Sequence, residues 1–406
     1  MTFLLDLERR LGLTGGGLIA AALLVVSWIA ARALGARTLY LLVYTAAAGL
    51  IAAAVMARRR RPLAAGRSSL PSRAREGQAL RVELEVTARR RLTSFVLIER
   101  LHRHLGGDVR LPVGAVGGGR SLSHTYEVRP RLRGVYEIGP LVAEWSDPVG
   151  LSQGEQVLAG AVKLIVHPRV ELAHDRPLSR KWEDPPIRPP QTRPWPAGLE
   201  FYGMRDYVPG DDLRRVVWRA VARTGRLLVR EYEQGITDRV SVLLDTDAAW
   251  HRPGDPSDTF EAAVRVAASL GVRHLGEGFT VSLEANGGTL TGGLRGPRSR
   301  IGYLDQLAAV QRQRIPLVKG VERLLRTARA GVHHVVVTPH LDPPAAAGLS
   351  VLVERGASLL VVAIAWEESD PLTLQRASEI GAQVVEMRPG AALAAVTAHA
   401  LGAGTR

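Results

Sequence analysis

Two uncharged apolar stretches near the start of the chain, Leu11–Ala31 and Thr38–Ala57, constrain its folding more than any other feature. Each is close to the ~20 residues that a helix needs to cross a bilayer. A segment in lipid must satisfy its own backbone hydrogen bonds, so helix is the structure open to both. A cleaved signal peptide would account for the first stretch, but the second follows after a short connector, which suits a hairpin of two linked spans. Arg58, Arg59, Arg60, Arg61 and Arg67 outweigh Arg32 and Arg37 in the connector. The positive-inside rule then sets both chain ends on the cytoplasmic side of the inner membrane, together with the soluble body. The same arginines can meet anionic headgroups. Small residues four apart, such as Gly16 and Ala20 or Ala48 and Ala52, permit close helix contact.

Beyond this anchor, assigned to residues 1–61, the period changes. Leu80, Val82, Leu84 and Val86 alternate with Arg81, Glu83, Glu85 and Thr87, as in a half-buried strand. Further strands are expected at 94–101, 121–128, 135–138, 141–145 and 162–166, separated by turns such as Gly139-Pro140 and Asp147-Pro148. An antiparallel β-sandwich over residues 67–170 is the economical assignment. Seven prolines between Arg176 and Pro196 mark 171–197 as an extended linker. From 198 to 402 apolar runs alternate with helical patterns, the mark of a doubly wound, mainly parallel sheet. The fold class is therefore α/β: a transmembrane helical hairpin, a β-sandwich, then a layered sheet with flanking helices.

Charge adds little to this. The formal net charge is +14, yet the basic residues are nearly all arginine, with lysine only at Lys163, Lys181 and Lys319. Carboxylates are interleaved with the arginines, which argues against nucleic acid as a partner. The absence of cysteine excludes disulfides, thiolate catalysis and Cys-based zinc sites.

Charge, aromatic rings and turn chemistry crowd most closely in Gly198–Glu233. Val208 before Pro209-Gly210 ends a strand in a turn. Asp211 or Asp212 can cap a helix expected over Leu213–Thr224, and Gly225 can stop it. On that helix Val216, Val217, Ala220 and Val221 form an inward stripe, while Arg215, Arg219 and Arg223 share another face. Two readings stand: a buried ion network with Asp206, Asp211, Asp212, Glu231 and Glu233, or a docking surface for an acidic partner with Tyr207 and Trp218 as anchors.

The run strongly resembles the signature of a bacterial family catalogued as a domain of unknown function, number fifty-eight. Glu200, Phe201, Gly203, Arg205, Tyr207, Pro209, Gly210, Asp211, Asp212, Arg214, Trp218, Ala222 and Arg223 match, with Met204 replacing leucine. Arg133-Gly134-Val135-Tyr136 and Asp147-Pro148-Val149-Gly150-Leu151 also look like that family's upstream R-G-x-Y and D-P-x-G-L patterns. The resemblance implies a von Willebrand A-like C-terminal part, membrane anchorage and association with AAA+ ATPases of the MoxR type.

Such A-like domains carry D-x-S-x-S after their first strand for a Mg²⁺ ion, a hard cation that takes oxygen ligands. Here Asp245 matches, Asp247 replaces the first serine and Ala249 removes the second oxygen, while Pro339 stands where a later aspartate is expected. A metal site at Asp245 and Asp247 is thus the weaker reading, and two carboxylates capping loop N–H groups the stronger. The G-x-S-x-G of Gly150–Gly154 lies in a sandwich turn, not in the strand-to-helix elbow a nucleophile needs. No Walker A loop and no HExxH spacing are present. The expectation is a non-enzymatic, membrane-tethered adaptor working with an AAA+ ATPase, then a metal-dependent ligand-binding module, and last a hydrolase.

Overall fold

The computed structural model describes residues 12–35, 37–59, 61–171, 200–208, 216–233, 239–327, 332–365 and 372–388. The chain divides into two compact units, Met1–His167 and Pro168–Arg406. The expected linker and the helix expected at 391–400 lie outside the described residues.

The first unit opens with helices α1 (Gly15–Leu34) and α2 (Arg37–Arg58). Helix α1 starts at Gly15 and not at Leu11 because Thr14 caps it, its hydroxyl accepting from Gly17 N. Only 11% of each apolar window is buried, and Ile19, Leu23, Val26, Leu41, Leu42 and Ile51 are exposed. Apolar area on that scale is consistent with membrane anchoring, where lipid rather than water meets the side chains.

The sandwich follows. One sheet orders β1 (Leu63–Ser69), β3 (Leu80–Ala88) and β6 (Arg120–Val128). The other orders β2 (Arg73–Arg75), β9 (Val162–His167), β7 (Gly134–Ser146), β4 (Phe95–Leu101) and β5 (Val109–Val113), with β8 (Gln153–Ala159) on β7. Leu80, Val82, Leu84, Val86 and Ala88 are buried as their alternation predicts, sharing a core with Phe95, Leu97, Ile138 and Leu164. Three corrections apply. The sandwich begins at Leu63, which pairs with Ala88, and not at residue 67. It is not wholly antiparallel, because β2 runs parallel to β9. The strands expected at 135–138 and 141–145 are one strand, since β7 exchanges one neighbour for another: Gly134–Ile138 pairs with β9 and Leu141–Ser146 with β8.

One charged group lies deep inside. Glu99, 1% exposed, receives Arg67 at 2.6 Å and the Tyr126 hydroxyl at 3.2 Å. Arg67 also donates to the carbonyls of Gly160 and Ile138, so the buried pair is hydrogen-bonded on both sides, the condition under which such a pair is tolerated.

The helices and the sandwich meet at the D-P-V-G-L turn. The Asp147 carboxylate accepts from the N–H groups of Val149, Gly150 and Ser152, which fixes the turn and leaves its carbonyls facing α1. Thr14 N donates to Leu151 O at 3.0 Å and Thr14 Oγ1 to Gly150 O at 2.6 Å. Gly12 O accepts from Gln153 N and from Ser152 Oγ. On the same side, at the end of α2, Trp145 Nε1 donates to Ala57 O at 3.0 Å, supplying a partner to a carbonyl of the last turn of α2. Backbone approaches so closely that glycine is required twice: a Cβ on Gly17 would stand 1.9 Å from Leu151 O, and one on Gly154 2.0 Å from Ala57 O.

In the second unit a hairpin of β10 (Glu200–Asp206) and β11 (Leu228–Glu233) carries the short helix α3 (Trp218–Thr224). A six-stranded sheet then orders β14 (Gly288–Arg295), β13 (Thr280–Ala285), β12 (Arg239–Leu244), β15 (His333–Thr338), β16 (Ser358–Ile364) and β17 (Gln383–Met387). All pairs are parallel except β13 with β14. Helices α4 (Asp258–Gly276) and α5 (Arg300–Ala309) pack with Val240, Val242 and Leu244 on one face. Helices α6 (Leu317–Thr327), α7 (Pro343–Glu354) and α8 (Leu372–Glu379) enclose Leu243, Val336 and Val361 on the other. The sheet is thus doubly wound, as its alternation predicts; the antiparallel edge strand β14 carries no period-two pattern and is not among the expected elements.

Substituting Gly154→Ala is expected to lower the stability of the detergent-purified chain by about 1–3 kcal/mol, the usual cost of overpacking. Gly160→Ala, whose added Cβ meets nothing within 4 Å, serves as the control and should leave the thermal midpoint in place.

Candidate functional site at the centre of the sheet

From β12 the chain steps to β13 on one side, and from β15 it steps to β16 and β17 on the other. The strand order therefore reverses between β12 and β15, and open sheets of this kind collect ligands outside the strand ends at that point. Asp245 follows the last residue of β12 and is fully buried. It is met from both neighbouring strands. Thr338, the last residue of β15, places Oγ1 2.7 Å from Asp245 Oδ2, and Asn286, just beyond β13, donates Nδ2 to Oδ1 at 2.7 Å. Asp247 N donates to the same Oδ1 at 2.9 Å.

Burial raises the Asp245 carboxyl to about 6, and the hydrogen bonds from Asp247 N, Thr338 and Asn286 pull the other way. Thr338 Oγ1 also lies 2.6 Å from His340 O, and a hydroxyl has one hydrogen to give. With Asp245 ionised, that hydrogen points at the carboxylate. With Asp245 protonated, the acid can donate to Thr338 Oγ1, freeing the hydroxyl to donate to His340 O.

His251 holds the other side of the loop. Its Nε2 lies 3.0 Å from Asp245 O and its Nδ1 3.2 Å from Thr259 Oγ1. Burial lowers its pKa to about 4, so the ring is neutral at pH 7; a carbonyl only accepts, so Nε2 carries the hydrogen and Nδ1 accepts from Thr259. Gln313 clamps the loop further, its N–H reaching Thr246 O and its carbonyl accepting from Ala248 N, both at 2.7 Å. The surface of this cluster is a ring pair: half-exposed Trp250 stacks on His340 with centroids 3.5 Å apart.

This donor set does not fit Mg²⁺. The Asp245 oxygens face an amide N–H, a backbone N–H and a hydroxyl, and Asp247 Oδ1 accepts from Ala249 N at 3.0 Å. Asn286 turns hydrogens, not oxygen, toward Asp245, donating also to Ile315 O. Among the described residues no group of three or more His, Asp or Glu side chains is arranged to hold a metal. The arrangement is a hydrogen-bonded clamp that ties three strand ends together, with the two carboxylates satisfying loop N–H groups. Sequence reasoning singles out Asp245 and Asp247 but misses Asn286, Thr338, His251 and Gln313 as their partners; the position of Asn286 and Thr338 beside strand ends is the available signal.

The signature stretch lies on the β10–β11 hairpin. Glu200 pairs with Glu233, Phe201 with Tyr232 and Arg205 with Val229, and Tyr207 N continues the ladder to Leu227 O. Pro209, Gly210, Asp211, Asp212, Arg214 and Arg215 lie outside the described residues. Helix α3 begins at Trp218, a correction to the start expected at Leu213: Val216 bridges Val229 and Val217 N donates to Leu228 O, so the β-branched pair is drawn into extended pairing. Gly225 ends the helix in a left-handed conformation, φ 69°, as expected. No residue of α3 is buried. Arg219 and Arg223 are exposed and Trp218 is 63% exposed, so these two arginines are not buried.

Residues 203–370 match the model of the family described as protein of unknown function DUF58. No curated protein matches the chain. Among solved structures, a β-glucosidase from Listeria innocua in complex with gluconolactone is similar at 14% identity over 25% of this chain and 16% of that one, with a TM-score of 0.16. A non-cellulosomal cohesin from Archaeoglobus fulgidus is similar at 16% identity over 26% of this chain and 90% of that one, TM-score 0.18. A chitin binding domain from Burkholderia pseudomallei follows at 13% identity over 24% of this chain and 57% of that one, TM-score 0.14.

Two outcomes test the clamp. Thr338→Val, which removes the hydroxyl beside the Asp245 carboxylate, is expected to cost about 1–3 kcal/mol in urea unfolding. In pH dependence, Asp245 has its folded pKa raised from 3.8 to about 6, so its contribution is full below pH 3.8 and lost as pH rises through 6. His251, His333 and His334 are lowered from 6.5 to about 4 by burial, so their contributions are present above 6.5 and lost as pH falls toward 4. Three groups oppose one, and stability should fall between pH 7 and pH 5. Asp245→Asn removes the opposing group and should steepen that fall by about 1 kcal/mol.

Proposed function

We propose that this chain is a membrane-tethered, non-enzymatic adaptor whose von Willebrand A-like C-terminal domain works with an AAA+ ATPase of the MoxR type in assembling or remodelling an envelope complex. The observation that carries the reading is α3: Trp218 is 63% exposed on a helix with no buried residue, beside exposed Arg219 and Arg223. An exposed tryptophan flanked by arginines is the composition of an interaction hot spot, and the charge suits an acidic partner surface. The A-like reading is supported by the reversed strand order, the helices on both faces and the aspartate at the end of the first parallel strand. The saturated donor set at Asp245 favours a scaffold over a metal-dependent module.

Orientation belongs to the same proposal. Arginines after the second apolar helix outnumber those between the helices, which favours a cytoplasmic position for the body, where such an ATPase would meet it.

Pull-down of a MoxR-type ATPase by the full chain in detergent, with ATP, ADP or a non-hydrolysable analogue present, is the test. Retention is expected with at least one nucleotide, and Trp218→Ala or Arg219→Glu/Arg223→Glu should weaken it about tenfold or more, the size of a hot-spot loss. No retention in any nucleotide state would overturn the adaptor reading.

A further inference from the structure

Where α2 ends, the sandwich leaves a cleft of about 620 Å³, lined by Met56 of the last helical turns, by Arg61 just beyond them, and by Thr93, Phe95, Trp145 and Pro148 among others from the sandwich. Met56 is half-exposed and belongs to the apolar span; Phe95 and Trp145 are buried floor residues. Arg61 is held in place from three directions. Its N–H donates to Gln156 Oε1 at 3.1 Å, its Nη1 donates to Thr93 Oγ1 at 2.7 Å, and its guanidinium lies 4.9 Å over the Trp145 ring.

Arg61 has no carboxylate partner among the described residues, and of the five N–H donors on its guanidinium, one is used in those contacts. Partial burial lowers its pKa. Two acidic residues line the cleft, Glu144 and Asp147. Asp147 is turned to three N–H groups of its own turn, whose dipoles offset part of its charge, so Glu144 is the carboxylate that most opposes an incoming anion.

We infer that this cleft receives the headgroup of an anionic phospholipid, its phosphate on the free face of the Arg61 guanidinium and its chains along α2 past Met56. The inference rests on the two apolar helices being membrane spans, for only then does the end of α2 stand at headgroup depth. A fixed, planar guanidinium suits a phosphate better than an unattached lysine would. The apolar neighbours suit acyl chain and glycerol, which a free phosphate lacks. The Arg61 side chain lies over Trp145, whose indole holds the last turn of α2, so the headgroup would sit directly against that anchor point.

The test uses the full chain in nanodiscs of phosphatidylcholine with and without phosphatidylglycerol, with bound lipid counted by native mass spectrometry. The wild type should retain phosphatidylglycerol over phosphatidylcholine, Arg61→Gln should lower that preference about fivefold, the effect of one interfacial charge, and Glu144→Gln should raise it. Arg81→Gln, on the exposed face of β3, should change nothing. Equal retention in wild type, Arg61→Gln and Glu144→Gln would overturn the inference, as would loss of bound lipid to millimolar inorganic phosphate. Carbonate extraction of the same membranes separates the two failures: an extractable chain removes the spans, whereas an embedded chain without lipid preference removes only the cleft.

Discussion

The Asp147 carboxylate is the constraint on which the first unit depends. By drawing the N–H groups of Val149, Gly150 and Ser152 onto itself, it turns the carbonyls of Gly150 and Leu151 toward the cap of α1. The rest follows from backbone bonds together with those of the Thr14 and Ser152 hydroxyls, with glycine for clearance at Gly17 and Gly154. The Trp145 indole, two residues earlier on β7, holds the last turn of α2 by donating directly to Ala57 O. Two apolar helices that make few contacts of their own with the soluble fold are thereby fixed at both same-side ends by a single β-turn region. A flexible tether would leave those polar groups to water; here they are satisfied within the unit.

The second unit has its own single point of convergence. Asp245 collects donors from the ends of β13 and β15 and from its own loop, and His251 and Gln313 hold the loop from outside. A buried carboxyl satisfied in this way positions three strand ends, because its own oxygens would otherwise be buried unpaired. The consequence is a carboxyl poised near pH 6, where a proton redistributes the Thr338 hydroxyl between two acceptors.

What the sequence discloses depends on how far the relevant partners lie along the chain. The apolar helices, the alternation of β3 and the parallel strands with their helices are legible because period and composition are local properties. The D-P-x-G-L pattern is visible as a word without meaning; its sense lies in contacts such as Thr14 with Gly150, 136 residues apart. The same distance hides the clamp: Asp245 is recognisable, but Asn286 and Thr338 reach it from 41 and 93 residues away. Edge strands β8 and β14 escape notice because glycine and polar residues carry no period there, whereas β5 alternates over Val109, Leu111 and Val113 but is short and contains Pro112. Helical spacing overextends α3 because it runs on through Val216 and Val217, which the hairpin claims by pairing.

The most direct measurement concerns the seam between hairpin and sandwich. Leu13 and Ser152 form a non-hydrogen-bonded antiparallel pair, flanked by the bonds of Gln153 to Gly12 and Thr14 to Leu151. Such pairs bring Cα atoms to ~4.5 Å, within disulfide range. The chain contains no cysteine, so Leu13→Cys combined with Ser152→Cys introduces a single intramolecular thiol pair. Mild oxidation in native membranes should give the linked peptide in high yield by mass spectrometry. Leu13→Cys combined instead with Ser121→Cys, on the exposed part of β6, should not link. Failure to link position 13 with position 152 in a membrane-embedded, folded chain would contradict the account.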